Sequence, residues 1–573
     1  MGILRKHRYK ALVVIILGLV LILQPLILQR IRAEGEEKAV TILFTSDMHD
    51  NFLPFNSIKD GEITSLGGYA KLMTAIKQQK ELDPEAVLVD AGDYSMGTPY
   101  QTIFANESPQ LRIMGSMGYD ATTFGNHEFD YRPDGLAKSL QSALKSGERL
   151  PAIVQANTTF PVDKEGRMSD ELARLKKAME DYKVRDYIVI ERNGYKIGIF
   201  GIMGKESASM APMSGVVFAD PVESARKVVK VLKEQEKVDM IICLSHSGTS
   251  ARKNESEDEI LAKELPDIDV IVSGHTHTRL EQPIVVGKTV IGSPEDYGRY
   301  LGVIKLVPEG SGDWKLEKYQ LLQINDSIKE DESLALRIEE FKGMVQKEYF
   351  DMYGLGYDEV IAYSPYQFQT PDEISSVHAD STLGNLIGDA YLYAVKKAEG
   401  ANYEPVAAAV VPTGTIRSTI FKGPVTTADA FCISSLGVGA DGIPGYPIIS
   451  VYLTGKELKT LCEVDASVAP IMSTAQLYPA GLSYRFNPNR LIFNKVTDVA
   501  LMDADGTRSE IDDNKLYRVV AGLYSAQMLS VVGDKSFGLL SLVPKDKEGN
   551  PITDFEKHII YQNIDGKQQE VKE

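Results

Sequence analysis

Five of the chain's eight histidines sit in four short polar segments that directly follow apolar runs. Thr45-Ser-Asp47-Met-His49 follows the first run, and Gly125-Asn126-His127-Glu128-Phe-Asp130 follows Tyr119–Phe124. Ser245-His246-Ser247-Gly follows Ile241–Leu244, and Gly274-His275-Thr-His277 follows Val270–Ser273. A fifth segment, Gly92-Asp93, comes after Val87-Leu-Val-Asp. Imidazole, carboxylate and amide oxygen together suit hard-to-borderline divalent metals. Asp-x-His and His-x-His on extended backbone put both side chains on one face, because strand side chains alternate. The set Asp47, His49, Asp93, Asn126, His246, His275 and His277 is too large for one tetrahedral ion and suits two. Two ions a few ångströms apart can activate a water and clamp a phosphoryl group. Taken singly, Gly92-Asp93 reads as a turn and His246 as a buried histidine. Together, in this order, the five segments point to a metal centre.

The elements that must position these residues alternate along the chain. Short β-rich runs fall at Val40–Phe44, Ala86–Asp90, Ile197–Phe200, Met240–Leu244 and Val270–Val272, with helical patterns such as Tyr69–Leu82 and Pro221–Gln235 between them. That alternation argues for a layered α/β domain closing near residue 325. In α/β sheets ligand sites gather at the carboxyl ends of strands, where all five segments fall. Glu330–Tyr349 reads as one helix, with Leu334, Ile338, Phe341 and Val345 at four- and three-residue steps. A second α/β region follows Tyr353-Gly-Leu-Gly, its clearest element a helix around Leu383–Ala394.

With 573 residues, 43% hydrophobic and 25% charged, the chain has room for two or three globular domains and is neither fibrous nor disordered in composition. Three cysteines cannot form a disulfide framework. The net charge of -18 excludes a nucleic-acid coat, which needs a basic footprint. Residues 1–32 carry six Lys/Arg and no acid, which leaves the remainder at 56 basic against 80 acidic residues, a balance of -24. Ala11–Leu28 is apolar except for Gln24 and Pro25, and a basic cluster precedes it. Eighteen residues just span a bilayer core, and the flanking charges favour a cytoplasmic amino end. An uncleaved signal-anchor and a signal peptide cut near Ala33 both fit. Either one places the bulk of the chain outside the cytoplasm, at the cell surface or secreted.

The ordered segments resemble the calcineurin-like metallophosphoesterases. Together with Leu383-Gly-Asn-Leu-Ile-Gly-Asp-Ala they resemble the 5′-nucleotidase family from Val40 to the carboxyl end. The resemblance implies an α/β fold: a four-layer α/β/β/α metallophosphoesterase domain, then a smaller α/β substrate-recognition domain. The expected division is a signal-anchor or signal peptide over 1–36, the phosphoesterase domain over 37–325, a linker helix over 326–352 and the substrate domain over 353–573. It implies two divalent ions, zinc, manganese, iron or cobalt. Asp47, His49 and His277 would hold one, Asn126, His246 and His275 the other, and Asp93 would bridge them. His127, oriented by Asp130, would stabilise the phosphoryl oxygens and the leaving group while a metal-bound hydroxide attacks in line.

The second domain departs further from the family pattern. Its phosphate loop reads Pro412-Thr-Gly-Thr-Ile-Arg417, which keeps Arg417 as a phosphate contact. Val377-His-Ala-Asp-Ser-Thr lacks the family's arginine, and Ser435-Leu436-Gly437-Val438 puts leucine where an aromatic ring would clamp a base. Tyr524 matches the other wall and Asp534 the family's sugar- or base-facing aspartate. The hydrolytic centre reads as complete and the nucleotide apparatus as eroded. The expected function is extracytoplasmic hydrolysis of nucleotides or related small phosphoesters. Cyclic-nucleotide, nucleotide-sugar and thiosulfate-ester hydrolysis, and a non-catalytic metal-containing surface protein, are the alternatives.

Overall fold

Every residue of Val40–Thr45 is buried, as a strand covered on both faces requires. Val40, Ile42 and Phe44 enter a core with Val87, Val89, Ile242, Leu244, Val270 and Val272. Leu43, pointing the other way, joins Leu88 and the Leu72, Ala75 and Ile76 stripe of helix Tyr69–Leu82. The structure is a computed structural model and describes residues 38–573 apart from 60, 311, 473–474, 528, 530–541 and 565. The leader expected over 1–36, and Asp534, lie outside the described residues. Among the described residues no helix is long and apolar enough to cross a membrane.

Val40–Thr45 lies inside a six-stranded sheet ordered Trp314–Gln323, Tyr300–Pro308, Val40–Thr45, Val87–Asp90, Ala121–Thr122, Ala152–Ile153. Its last four strands run parallel, and Tyr300–Pro308 is antiparallel to both its neighbours. A second six-stranded sheet is ordered Ile284–Val286, Thr289–Gly292, Val270–Ser273, Met240–His246, Tyr195–Met203, Tyr187–Arg192. Its inner four strands are parallel and both edge strands antiparallel. The outer face of this sheet, through Ile241, Cys243 and Ile271, packs on Ala225, Val228 and Val229 of helix Pro221–Val231 and on Leu261 of helix Glu257–Glu264. The result is the expected helix–sheet–sheet–helix stack.

The helix expected over Glu330–Tyr349 runs Glu332–Val345, widens over Gln346–Phe350 and closes with Asp351–Tyr353. Leu334, Ile338, Phe341 and Val345 are buried, as their spacing requires. Arg112 and Arg337 lie over the Phe341 ring at 4.9 and 5.0 Å, so this helix packs on the first domain. Beyond it, a four-stranded mixed sheet is ordered Ile448–Thr454, Leu516–Gly522, Ala408–Pro412, Leu477–Ala480. Helix Thr382–Glu399 lies close on this sheet because Gly384 has no side chain; a Cβ there would meet the Tyr478 ring at 2.2 Å.

Phe44 holds the two large sheets in register. It is fully buried and pairs across the ladder with Gly302, where a Cβ would come within 2.2 Å of its ring. The ring tip also meets Gly292 of the facing sheet, where a Cβ would lie 2.9 Å away. No neighbouring side chain can fill that space. Phe44→Ala is expected to lower stability by about 3–5 kcal/mol, read as a lower midpoint in urea unfolding with an unchanged slope.

Candidate active site

The parallel strands of both sheets deliver their carboxyl ends to one crevice. Asp47 and His49 follow Val40–Thr45, Asp93 follows Val87–Asp90, and Asn126 and His127 follow Ala121–Thr122. His246 is the last residue of Met240–His246, in the strand itself, and His275 and His277 follow Val270–Ser273. The spacing argument expects extended backbone at the paired ligands, and the structure differs. Asp47, His49, Asp93, His275 and His277 have φ of 52, 44, 53, 73 and 51°. Left-handed backbone at a residue with a side chain costs of order 1–3 kcal/mol. Here it curls each segment inward, so that ligating atoms of Asp47, His49 and His277 lie within 4.8 Å of one another.

The strained turns are clamped by hydrogen bonds. Asp47 N–H donates to Gly92 O and His49 N–H to Asp93 O, both at 2.9 Å. The buried Glu128 carboxylate accepts N–H groups of Gly125, Asp93 and Ser95 at 2.7, 3.1 and 3.0 Å, tying two loops together. Asp47 Oδ1 accepts His275 N–H at 2.8 Å, and Asp93 Oδ1 accepts His127 N–H at 2.9 Å.

The remaining donor atoms fit metal ions. His49 Nδ1 lies 3.0 Å from Met96 O, and His277 Nδ1 lies 2.9 Å from Asp296 Oδ2, so both rings place their N–H there. Their Nε2 lone pairs then face each other at 3.1 Å, with Asp47 Oδ1 3.7 Å from His277. His246 directs Nδ1–H to Ala91 O at 2.9 Å and turns Nε2 to Asn126 Oδ1 at 3.2 Å and Asp93 Oδ2 at 3.1 Å. Asp47 Oδ2 is buried with no hydrogen-bond partner. Acceptors so converged need cations between them. Among the described residues three overlapping groups, Asp47–His49–His277, His49–Asp93–His127 and Asp93–His246–His275, could each hold an ion.

The four ligand histidines divide electrostatically: burial opposes charge on all of them, but Asp296 and Asp47 overcome it at His277 and raise that ring above the ordinary imidazole range. Burial depresses His49 well below the ordinary imidazole range, and the Arg417 cation adds to this against Asp93. Burial does the same to His275, helped by His246. Burial would also depress His246, but Asp93 reverses this and pushes it up to about 10. Asp296 is buried yet held well below the carboxylate range by Arg299 and His277.

Beside these groups His127 Nδ1 bonds Asp130 Oδ2 at 2.6 Å. Both domains line a cavity of about 1100 Å³ that holds Asp93, Asn126, His127, Arg417 and Tyr524. Among the described residues Arg417 makes no ion pair, and its Nε and Nη2 are buried without a partner. Tyr524 stacks on Tyr446 with ring centroids 5.2 Å apart, and Leu436 lines the same cavity. Sequence reasoning passed over Asp296, the orienter of His277, and gave Glu128 no role although it stands inside Gly-Asn-His-Glu. It also missed Tyr446, whose hydroxyl reaches Asp130 at 3.0 Å. No local pattern marks Asp296 or Tyr446, because each is far in sequence from the residue it serves.

Known proteins resemble the chain along both domains. Residues 40–279 match the family described as calcineurin-like phosphoesterase, and residues 360–530 match the 5′-nucleotidase C-terminal domain. The trifunctional nucleotide phosphoesterase protein YfkN of Bacillus subtilis is 27% identical over 497 residues, covering 84% of this chain and 31% of that protein, so the chain spans under a third of that relative. An apyrase of Anopheles gambiae is 25% identical over 519 residues, covering 85% of this chain and 82% of the apyrase. The crystal structure of a 5′-nucleotidase precursor from Thermus thermophilus shares the fold, with a TM-score of 0.70 and 24% identity over 92% of this chain and 98% of that one. The chain therefore belongs to the 5′-nucleotidase family of metal-dependent hydrolases, pairing a calcineurin-like phosphoesterase domain with a 5′-nucleotidase C-terminal domain.

Proposed function

We propose that the chain is an extracytoplasmic two-metal phosphoester hydrolase of 5′-nucleotidase type, acting on nucleotides or related small phosphoesters. The convergence of imidazole lone pairs and buried carboxylates beside the His127–Asp130 pair carries this reading. The basic, apolar leader supports the extracytoplasmic part. Two divalent ions, when bound, would supply an activated water and neutralise the phosphoryl oxygens.

The chain's own residues do the rest. Asp47, His49 and His277 would hold one ion and Asn126, His246 and His275 the other, with Asp93 placed among both groups. Asp130 fixes the His127 ring through Nδ1, leaving Nε2 to donate to a phosphoryl or leaving-group oxygen as charge develops there. Arg417 offers two unpartnered guanidinium nitrogens to a phosphate, and Tyr524 presents a ring to a base or other apolar group. The cavity is large enough for a nucleotide.

The direct test is phosphate release by the full chain with manganese or zinc, from AMP, UMP, a cyclic nucleotide, UDP-glucose and an aryl phosphate. Preference for a nucleoside monophosphate supports the 5′-nucleotidase reading, and no turnover on any of them overturns it. His127→Ala is expected to lower kcat about 10²–10⁴-fold while metal content, measured by mass spectrometry, stays at the wild-type level. Asp296→Asn frees the His277 ring and should weaken metal retention about 10–100-fold, read by dialysis against a graded chelator. Arg417→Ala should raise KM for a nucleotide more than it lowers kcat; if neither constant moves, Arg417 does not touch the substrate.

A further inference from the structure

The histidine–aspartate pair is held from both domains. Asp130 Oδ2 bonds His127 Nδ1 at 2.6 Å, and Asp130 Oδ1 accepts the hydroxyl of Tyr446 at 3.0 Å. Tyr446 belongs to the second domain and is fully buried. Its own placement is fixed on every side. A Cβ at Gly437 would lie 2.3 Å from its ring, its N–H donates to Leu436 O at 3.0 Å, and its ring stacks on Tyr524. The loop Ser435–Tyr446 touches the first domain elsewhere too. Gln101 donates its side-chain amide to Ser435 O, and Gly437 N–H points at the Met96 sulfur at 3.2 Å. Met96 is the residue whose carbonyl orients His49.

We propose that Tyr446 is a positioning residue for His127, so that phosphoester hydrolysis depends on the docked second domain through Asp130 as well as through substrate contacts. The proposal rests on the hydrolase reading above. A carboxylate bonded through one oxygen only can swing about its side-chain torsion and carry the imidazole with it. A donor on the second oxygen fixes the carboxylate plane, and with it the line from His127 to the reacting oxygen. Among the described residues no other side chain bonds Asp130 Oδ1. Loss of the Tyr446 hydroxyl therefore leaves His127 with a partner whose orientation is no longer set.

Tyr446→Phe removes the hydroxyl and keeps the ring stack. On an aryl phosphate, which needs no base recognition, kcat is expected to fall about tenfold with KM nearly unchanged. The same substitution should add nothing in an Asp130→Ala background. A rise in KM at constant kcat, or an undiminished loss without Asp130, overturns the proposal. A second readout requires no turnover. The His127 Nδ1 proton resonance, recognised by its disappearance in His127→Ala, should shift in Tyr446→Phe. It should hold still in Tyr484→Phe, whose hydroxyl serves Asp465 instead, at 2.5 Å. An unmoved resonance in Tyr446→Phe sinks the proposal. A shifted resonance in a chain that hydrolyses none of the esters keeps the positioning contact and removes the hydrolase reading.

Discussion

Imidazole nitrogens and carboxylate oxygens that accept but cannot donate would drive one another apart in a dry crevice. His49 and His277 nevertheless face each other at 3.1 Å, and Asp47 Oδ2 is buried with no hydrogen-bond partner among the described residues. Everything around the crevice restrains this arrangement. Five residues bend through left-handed backbone, Glu128 ties three backbone N–H groups together, and Asp296 and the Met96 carbonyl lock two rings in one tautomer. Divalent ions, when bound, would turn the mutual repulsion into attraction, so contacts that would oppose one another could become a ligand set.

The second domain serves this centre in two physical ways. Arg417 brings a cation into the cavity of a chain of net charge -18, with Nε and Nη2 unpartnered among the described residues. Tyr446 brings no charge but reaches the carboxylate behind His127. The packing that permits this is specific: Gly437 lies flat on the tyrosine ring, where any side chain would collide. Cavity lining and the contact to Asp130 thus share one loop, with Leu436 lining the cavity immediately before that glycine.

Much of this was legible in the sequence because its period and punctuation are local. Val40–Thr45 and Met240–His246 announce buried strands by mostly apolar runs, and the candidate ligands stand at or just beyond their carboxyl ends. The helix Glu332–Val345 buries the four residues that its spacing marks. Backbone handedness was not legible: Asp-x-His looks like a strand pair, and only tertiary hydrogen bonds offset the strain of the left-handed turn. Long-range partners were likewise invisible. Asp296 lies 19 residues after His277, and Tyr446 reaches a residue 316 positions earlier. The environment of Arg417 was equally hidden, since its Nε and Nη2 are buried without a partner among the described residues.

The polarity of the first strand has a consequence for how the molecule is presented. Asn193 holds the Ala39 carbonyl at 2.9 Å at the amino end of Val40–Thr45, and Asp47 and His49 leave its carboxyl end. Six extended residues separate those points by about 20 Å. Whatever precedes residue 38 therefore joins the domain at the end of the sheet opposite the ligand loops. A chain tethered by its amino end would hold its crevice at arm's length from the tether, open to molecules arriving from the surrounding fluid.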